Sequence, residues 1–133
     1  MKVFIAYRST GEDPKKLKPL MNTVKETFEK KGIDTYSTFF DKEVNSNNLS
    51  PRQIVDRTLA IIDKVDYLFV LQTTENRSEG MLIEVGYCLA KNIPIIIATK
   101  DNVMDTYLPA LTSESYTWSN EDDLLNLISG LNL

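Results

Sequence analysis

The residues of this sequence best suited to chemistry are a carboxylate and two glycines that interrupt an apolar run. Glu84 is the carboxylate, and Gly80 and Gly86 flank it. A helix that only packed on a sheet would gain nothing from this acid, and each glycine costs helix stability of about 1 kcal/mol relative to alanine. The pattern therefore predicts that a small polar ligand approaches this helix closely.

Groups suited to an anion lie on either side of the carboxylate. Ser78 precedes the apolar run at the predicted start of the helix, where free backbone N–H groups attract phosphate. Arg8 and Ser9 follow the first predicted strand and supply a cation and a further donor. The missing side chain at Gly80 leaves room for a sugar. Together these residues suit a phosphorylated sugar whose anomeric carbon reaches Glu84.

The sequence contains no histidine. This absence excludes Ser-His-Asp and Cys-His catalysis and the ordinary zinc sites that contain histidine. Acid-base or nucleophilic chemistry must then come from carboxylates, tyrosine, lysine or the single cysteine, Cys88. We expect no metal and no other cofactor.

Composition limits the partners and the compartment. The 133 residues carry a net charge of −4, which argues against a nucleic-acid polymer because no basic surplus exists to neutralise phosphates. No apolar run reaches the length of a membrane span, and the apolar start is too short for a signal peptide. A single cysteine excludes an intramolecular disulfide and is typical of a reducing compartment, so we expect a cytoplasmic protein.

Hydrophobic periodicity predicts that strands and helices alternate along the chain. Apolar runs predict strands over residues 3–7, 33–37, 65–71, 93–98 and 116–118. Helical spacing predicts a first helix that begins at Pro19 rather than at Pro14 and stops at Gly32. Polar capping residues predict three further helix starts, at Ser50, Ser78 and Asn120. Residues 41–48 are polar and without periodicity, which predicts a loop.

This alternation predicts an α/β fold, a three-layer αβα sandwich around a five-stranded parallel sheet in the flavodoxin-like order 2-1-3-4-5. Residues 1–133 form a single domain, because the chain is too short for a second core. In such sheets ligands bind beyond the carboxyl ends of the strands, at the switch point between strands 1 and 3. The loops over residues 7–11 and 73–80 then lie on opposite sides of one crevice.

Several motifs in the second half of the sequence, over residues 56–97, occur together in a strand-loop-helix order. They are Ile62-Asp63-Lys64-Val65-Asp66, then Ser78-x-Gly80-x-x-x-Glu84-x-Gly86-Tyr87-x-Leu89-Ala90, then Asn92-Ile93-Pro94-Ile95. These motifs strongly resemble the nucleoside 2-deoxyribosyltransferase family and its nucleotide N-glycosidase relatives. The first strand with Tyr7-Arg8-Ser9, and the tail with Trp118 and Asp122-Asp123-Leu124, also look like that family.

The resemblance implies that Glu84 is a nucleophile. It would attack the anomeric carbon of a (deoxy)ribonucleoside or nucleotide and form a glycosyl-enzyme ester, which then passes to a second base or to water. Asp66 matches a family aspartate near the base or sugar and would assist protonation of the leaving group. Tyr7 would lie against the sugar or base.

Ser78 separates two branches of the family that the sequence resembles. Deoxyribosyltransferases typically carry an aspartate at this position, whereas nucleoside 5′-monophosphate hydrolases use a serine there for phosphate. A carboxylate repels phosphate, and a serine at a helix N-terminus attracts it. With Arg8, this residue therefore implies an N-glycosidase that hydrolyses a (deoxy)nucleoside 5′-monophosphate, a small-molecule substrate.

The resemblance also implies an assembly. Members of the family are dimers or larger and complete each site from a neighbour's C-terminal region. We therefore expect a homodimer or a higher homo-oligomer, in which Ser113 or Ser115 of one chain reaches the site of the next.

Three other interpretations of the sequence stay open. The first is a nucleoside 2-deoxyribosyltransferase that exchanges bases rather than hydrolysing them. The second is a TIR-like module that cleaves NAD or serves only in signalling, because residues 3–9 resemble the opening strand of those domains. The third is a ligand-binding relative without turnover.

Overall fold

The computed structural model describes residues 1–133 and is built around a parallel sheet. Its strands are β1 (Lys2–Ala6), β2 (Asp34–Tyr36), β3 (Tyr67–Gln72), β4 (Ile95–Lys100) and β5 (Glu114–Trp118). Their order across the sheet is β2-β1-β3-β4-β5, and every neighbouring pair is parallel. Order and direction confirm the predicted fold class.

Helices cover both faces of the sheet and complete the three layers. They are α1 (Pro14–Lys30), α2 (Lys42–Asn45), α3 (Pro51–Ile62), α4 (Glu79–Lys91) and α5 (Glu121–Ser129), with short 3₁₀ helices at Thr38–Phe40 and Leu108–Leu111. α1 and α5 pack on one face, and α3 and α4 pack on the other. None of the helices combines the length and the apolar character that a membrane crossing needs.

β1 shows how one strand serves two cores. Val3 and Ile5 belong to the apolar cluster beneath α1 and α5, whereas Phe4 and Ala6 belong to the cluster beneath α3 and α4. Successive side chains of a strand point to opposite faces of its sheet, so each core takes alternate residues. β1 is buried on both faces and lies between β2 and β3, so its carboxyl end lies beside that of β3.

Side-chain caps start the later helices where the sequence predicts them. Ser50 and Gln53 form a reciprocal capping box at the start of α3. Ser78 accepts a hydrogen bond from the backbone N–H of Met81 at 3.2 Å and caps α4. Asn120 caps α5 in the same way. The position of α4, which carries Glu84, is therefore set by a local hydrogen bond as well as by packing.

The start predicted for the first helix is wrong. α1 begins at Pro14, after Asp13, whose side chain accepts the N–H of Lys15 at 3.0 Å. Pro19 lies inside the helix. A proline in this position removes one backbone hydrogen bond but does not end the helix, because the buried Leu17 anchors the turn before it.

The loop predicted over residues 41–48 contains a short helix, α2. Asp41 caps it by accepting the N–H of Glu43 at 3.0 Å, and the Ser46 hydroxyl donates to the Glu43 carbonyl at 2.7 Å. Polar side chains hold this turn, so it has none of the apolar periodicity that would predict a helix.

Candidate active site

The crevice expected at the switch point lies where the chain leaves β1 and β3. After β1 the chain passes to α1 on one face of the sheet, and after β3 it passes to α4 on the other. Arg8 joins the two sides, since its guanidinium donates to the backbone carbonyl of Arg77 and pairs with Glu12 at 3.6 Å. The loops after β1 and β3 are therefore in direct contact.

The first turn of α4 faces the same crevice with free donors. The backbone N–H groups of Glu79 and Gly80 have no protein acceptor. A side chain added at Gly80 would meet no other atom within 4 Å, so space is open at this point. Free N–H groups at the positive end of a helix form a site for an anion.

Glu84 lies in the second turn of α4 and is only 8% exposed. Its carboxylate makes no hydrogen bond and no ion pair with any other residue. Burial raises the pKa of this carboxyl from the ordinary 4.5 to about 8. Such a group is costly to hold in a core, and it is typical of a reactive position.

Tyr7 directly follows β1, and its phenol is close enough to Glu84 to respond to the charge of that carboxylate. Burial raises the pKa of the Tyr7 phenol above its ordinary value, hydrogen bonds from Thr38 and Ser9 oppose the rise, and the nearby Glu84 carboxylate adds to it. The Tyr7 and Phe39 rings pack edge to face with centroids 5.7 Å apart. The structure thus gathers the predicted residues Tyr7, Ser9 and Glu84 into one cluster.

A cavity of about 280 Å³ lies beside this cluster, beneath the loop that joins β3 to α4. Arg8 and Ser78 line the cavity, whereas Glu84 and Tyr7 do not. The predicted site residues therefore form two neighbouring groups. Glu84 lies deeper than the mouth of the crevice, and Arg8 is shared by the crevice and the cavity.

Asp66 lies at the other end of β3. Its carboxylate accepts the backbone N–H of Lys2 at 2.9 Å, and its own N–H donates to the Lys2 carbonyl at 2.8 Å. The six residues of β3 separate it from the crevice, a length of roughly 20 Å at the rise of an extended strand. The predicted role of Asp66 in protonating a leaving group beside Glu84 is therefore wrong, and its contacts join the starts of two strands.

Cys88, one turn beyond Glu84, is fully buried, and burial raises the pKa of its thiol to about 12. A thiol with so high a pKa supplies no thiolate near neutral pH. The structure contains no group of three or more Cys, Asp and Glu side chains placed to hold a metal ion. Glu84 is therefore a better candidate for a nucleophile than Cys88.

Thr38 and Phe39 are site residues that the sequence did not reveal. They follow β2 directly and reach Tyr7 across the end of the sheet. Gln72 is another, because it closes β3 beneath the cavity, accepts the Thr99 hydroxyl at 2.9 Å and donates to Thr106 at 3.2 Å. Their positions at the carboxyl ends of parallel strands are the signal that could have found them.

Comparison with known proteins places this geometry in a family. A family model described as nucleoside 2-deoxyribosyltransferase matches residues 10–128. No curated protein matches the sequence.

Solved structures share the fold over nearly the whole chain. The CMP N-glycosidase BcmB of Clostridium botulinum is 20% identical with a TM-score of 0.72, and the match covers 95% of each chain. A conserved protein of Enterococcus faecalis V583 is 17% identical with a TM-score of 0.62 and 96% coverage of each chain. A 2-deoxyribosyltransferase of Bacillus psychrosaccharolyticus is 15% identical with a TM-score of 0.66, covering 95% of this chain and 91% of that one.

The family match extends over most of the chain and takes in α4 with Glu84. The family is described as nucleoside 2-deoxyribosyltransferase, a class of enzyme that transfers glycosyl groups of nucleosides, and this confirms the prediction that the chain is an enzyme of this kind. The chain belongs to the nucleoside 2-deoxyribosyltransferase family.

Proposed function

We propose that this protein is an N-glycosidase that hydrolyses the base–sugar bond of a (deoxy)nucleoside 5′-monophosphate, with Glu84 as nucleophile. The observation that carries the proposal is the buried carboxylate of Glu84, which lacks a partner and lies beside Tyr7 within a turn of the free N–H groups of α4. An enzyme of the same fold is a CMP N-glycosidase, which supports a nucleotide as the first substrate to try.

The reaction has two covalent steps. A Glu84 carboxylate oxygen bonds to the anomeric carbon as the bond from that carbon to the base nitrogen breaks, and the base leaves with the electron pair and takes up a proton from water. A water molecule then attacks the anomeric carbon, and the bond from that carbon to the Glu84 oxygen breaks, which returns the carboxylate and releases the sugar phosphate. The proton that this water loses neutralises the hydroxide formed when the base took up its proton. Because only the carboxylate form is nucleophilic, Glu84 must lose its proton before the first step, and its raised pKa opposes that loss near neutral pH.

The start of α4 supports a phosphate on the substrate. Ser78 and the free N–H groups of the next two residues lie at the positive end of the helix, and Arg8 approaches from the other side. Glu75 also lines the cavity, but its carboxylate is engaged by the backbone N–H groups of Met104 and Asp105 at 2.7 and 3.3 Å. The donors therefore outnumber the free carboxylates where the phosphate would bind.

The test is release of free base from purified protein given dCMP or dGMP, and from the matching nucleosides. We expect hydrolysis of the nucleotide in preference to the nucleoside. Glu84→Ala should lower the rate by at least roughly a thousandfold, because it removes the nucleophile. Glu26→Ala, which removes an exposed carboxylate on α1, is the matched control and should keep full activity.

Two results would change this assignment. Comparable activity in Glu84→Ala would exclude the mechanism. A new nucleoside formed when a second free base is added would show instead a deoxyribosyltransferase, the activity for which the family is named.

We further propose that the protein is a cytoplasmic homodimer that uses the outer face of α4. Leu82, Ile83 and Leu89 are 40%, 44% and 45% exposed on this helix. Gly86 lies among them, and a side chain there would meet nothing within 4 Å, so a second helix can approach closely. Ser113 and Ser115 are exposed near the start of β5, an edge strand that β4 separates from the crevice between β1 and β3, and a neighbouring chain could use them there.

A further inference from the structure

The cavity beneath the loop that joins β3 to α4 lies between two segments that are tied together. One segment is that loop, residues 73–78, and the other is residues 104–108 of the connection from β4 to β5. The Glu75 carboxylate joins them, because it accepts the backbone N–H groups of Met104 and Asp105. Bonds within the chain therefore set the shape of this space of about 280 Å³.

A row of hydrogen bonds with a defined direction ends at the cavity. The Thr99 hydroxyl, on a residue of β4 that is 6% exposed, donates to the side-chain carbonyl of Gln72 at 2.9 Å. The Gln72 amide in turn donates to the Thr106 hydroxyl oxygen at 3.2 Å. The reverse orientation of this amide would leave the buried Thr99 hydrogen without an acceptor, so the direction of the row is fixed.

The Thr106 hydroxyl is left as a donor that faces the cavity. A hydroxyl oxygen accepts two hydrogen bonds, and the Gln72 amide and the Leu108 N–H, at 3.3 Å, supply both. The Thr106 hydroxyl donates to no group of the chain, and Thr106 lines the cavity. The cavity thus offers one oriented donor, which suits an acceptor such as the carbonyl oxygen of a ligand.

Apolar side chains surround this donor. Leu71, Met81 and Leu108 line the cavity and are 1%, 6% and 6% exposed. Apolar walls with a few placed polar groups are typical of sites for small organic molecules. The lining therefore suits a flat ring that bears a carbonyl, which is the chemistry of a nucleobase.

The charged side chains that line the cavity balance one another. Arg8 and Arg77 are cationic, and Glu75 and Asp105 are anionic. Equal numbers of opposite charges give no net attraction for a further anion. The cavity therefore favours a neutral group over a second phosphate.

The cavity continues from the proposed phosphate site. Arg8 and Ser78 belong to both, whereas Glu84, where the glycosidic bond would break, is not part of the cavity lining. A substrate with its sugar at Glu84 and its phosphate at Ser78 would reach the cavity through a group attached to that phosphate.

We propose that the cavity binds a second, neutral nucleoside esterified to the phosphate, so that the substrate is a dinucleotide joined through a single phosphate. The base of the second nucleoside accepts the hydrogen bond from Thr106. The bond that breaks is still the base–sugar bond at Glu84, and the phosphodiester stays intact. The inference rests on the proposed function, which sets the positions of the sugar and the phosphate.

The test measures affinity without turnover, by calorimetry on Glu84→Gln, which lacks the nucleophile. The probes are cytidine 5′-monophosphate, the dinucleotide in which uridine is esterified to that phosphate, and a dinucleotide with a diphosphate in its place. The phosphodiester should bind about tenfold more tightly than the monophosphate, because its second base meets Thr106 and the apolar walls. The diphosphate should bind less tightly than the phosphodiester.

Thr106→Val, added to Glu84→Gln, tests the donor. It should reduce the affinity for the phosphodiester about tenfold and leave the affinity for the monophosphate unchanged, since the monophosphate does not extend into the cavity. Thr106→Ser keeps the hydroxyl and is the matched control, which should restore the affinity for the phosphodiester. With Glu84 present, the wild type should release cytosine from the dinucleotide and no uracil.

The proposal is overturned if the phosphodiester binds no more tightly than the monophosphate, or if Thr106→Val weakens both ligands equally. Tighter binding of the diphosphate, or release of uracil, would overturn it as well. Absence of base release from either ligand by the wild type would refute the proposed function. The affinities measured on Glu84→Gln would still decide this inference, because they do not depend on cleavage.

Discussion

Glu84 is a carboxylate held away from water without a compensating partner. Its pKa is raised from 4.5 to about 8 by burial, so the folded protein binds this proton more tightly than the unfolded chain does. Stability from this group is therefore fully present below about pH 4.5 and is lost as the pH rises through about 8. The core under α4 would be more stable with an apolar residue there, and the carboxylate is best understood through the chemistry that we propose for it.

Replacing the acid by its neutral isostere tests this linkage. At about pH 9, the free energy of unfolding measured in urea should be higher for Glu84→Gln than for the wild type, by on the order of a few kcal/mol. The difference should shrink toward about pH 5. Glu26→Gln, at an exposed position, should follow the wild type at both pH values. Parallel curves for Glu84→Gln and the wild type across this range would contradict the raised pKa.

The helices show how local chemistry sets the bounds of an element. Side chains cap α1, α3, α4 and α5, and three of those caps can be identified from the sequence because a Ser or Asn precedes an apolar period. The start of α1 is harder to identify from the sequence, because both Pro14 and Pro19 are suited to the first turn of a helix. Pro14 occupies the first turn, where no hydrogen bond is lost, while Pro19 lies further in and leaves one carbonyl without its usual donor.

Pro19→Ala should therefore stabilise the protein. Alanine restores the missing N–H at an exposed position, and part of the gain is offset because proline also restricts the unfolded chain. We expect an increase in the free energy of unfolding of about 1–2 kcal/mol, measured by urea denaturation. Pro14→Ala is the matched control and should give no increase. A Pro19→Ala variant less stable than the wild type would contradict this account of the missing hydrogen bond.

At the scale of the whole molecule, the outer face of α4 exposes apolar side chains that packing within one chain does not explain. Its apolar side chains lie on the same helix as Glu84, and Leu82 also lines the cavity beside Ser78. A contiguous exposed apolar patch commonly marks an interface between proteins. A second copy packed against this face would lie close to both groups of site residues, which would couple assembly to activity.

Leu89→Glu should disrupt this assembly without unfolding the chain, because Leu89 is already 45% exposed. Sedimentation velocity should show a dimer for the wild type and a monomer for the variant. Tyr116→Glu is the control, since Tyr116 is a similarly exposed apolar residue on β5. A wild type that sediments as a monomer, or a variant that stays dimeric, would exclude this face as the interface.

Local sequence patterns were sufficient for the sheet and for the caps of α3, α4 and α5, because these depend on backbone periodicity and on hydrogen bonds between near neighbours. They could not show which residues meet at the ends of the strands. Parallel pairing joins segments that lie far apart in the chain. As a result, Asp66 lies at the amino end of β3, beside Lys2, and Thr38 contacts Tyr7 at the other end of the sheet. The depth of Glu84, and with it the raised pKa, was likewise decided only when α3 and α4 packed against the sheet and excluded water.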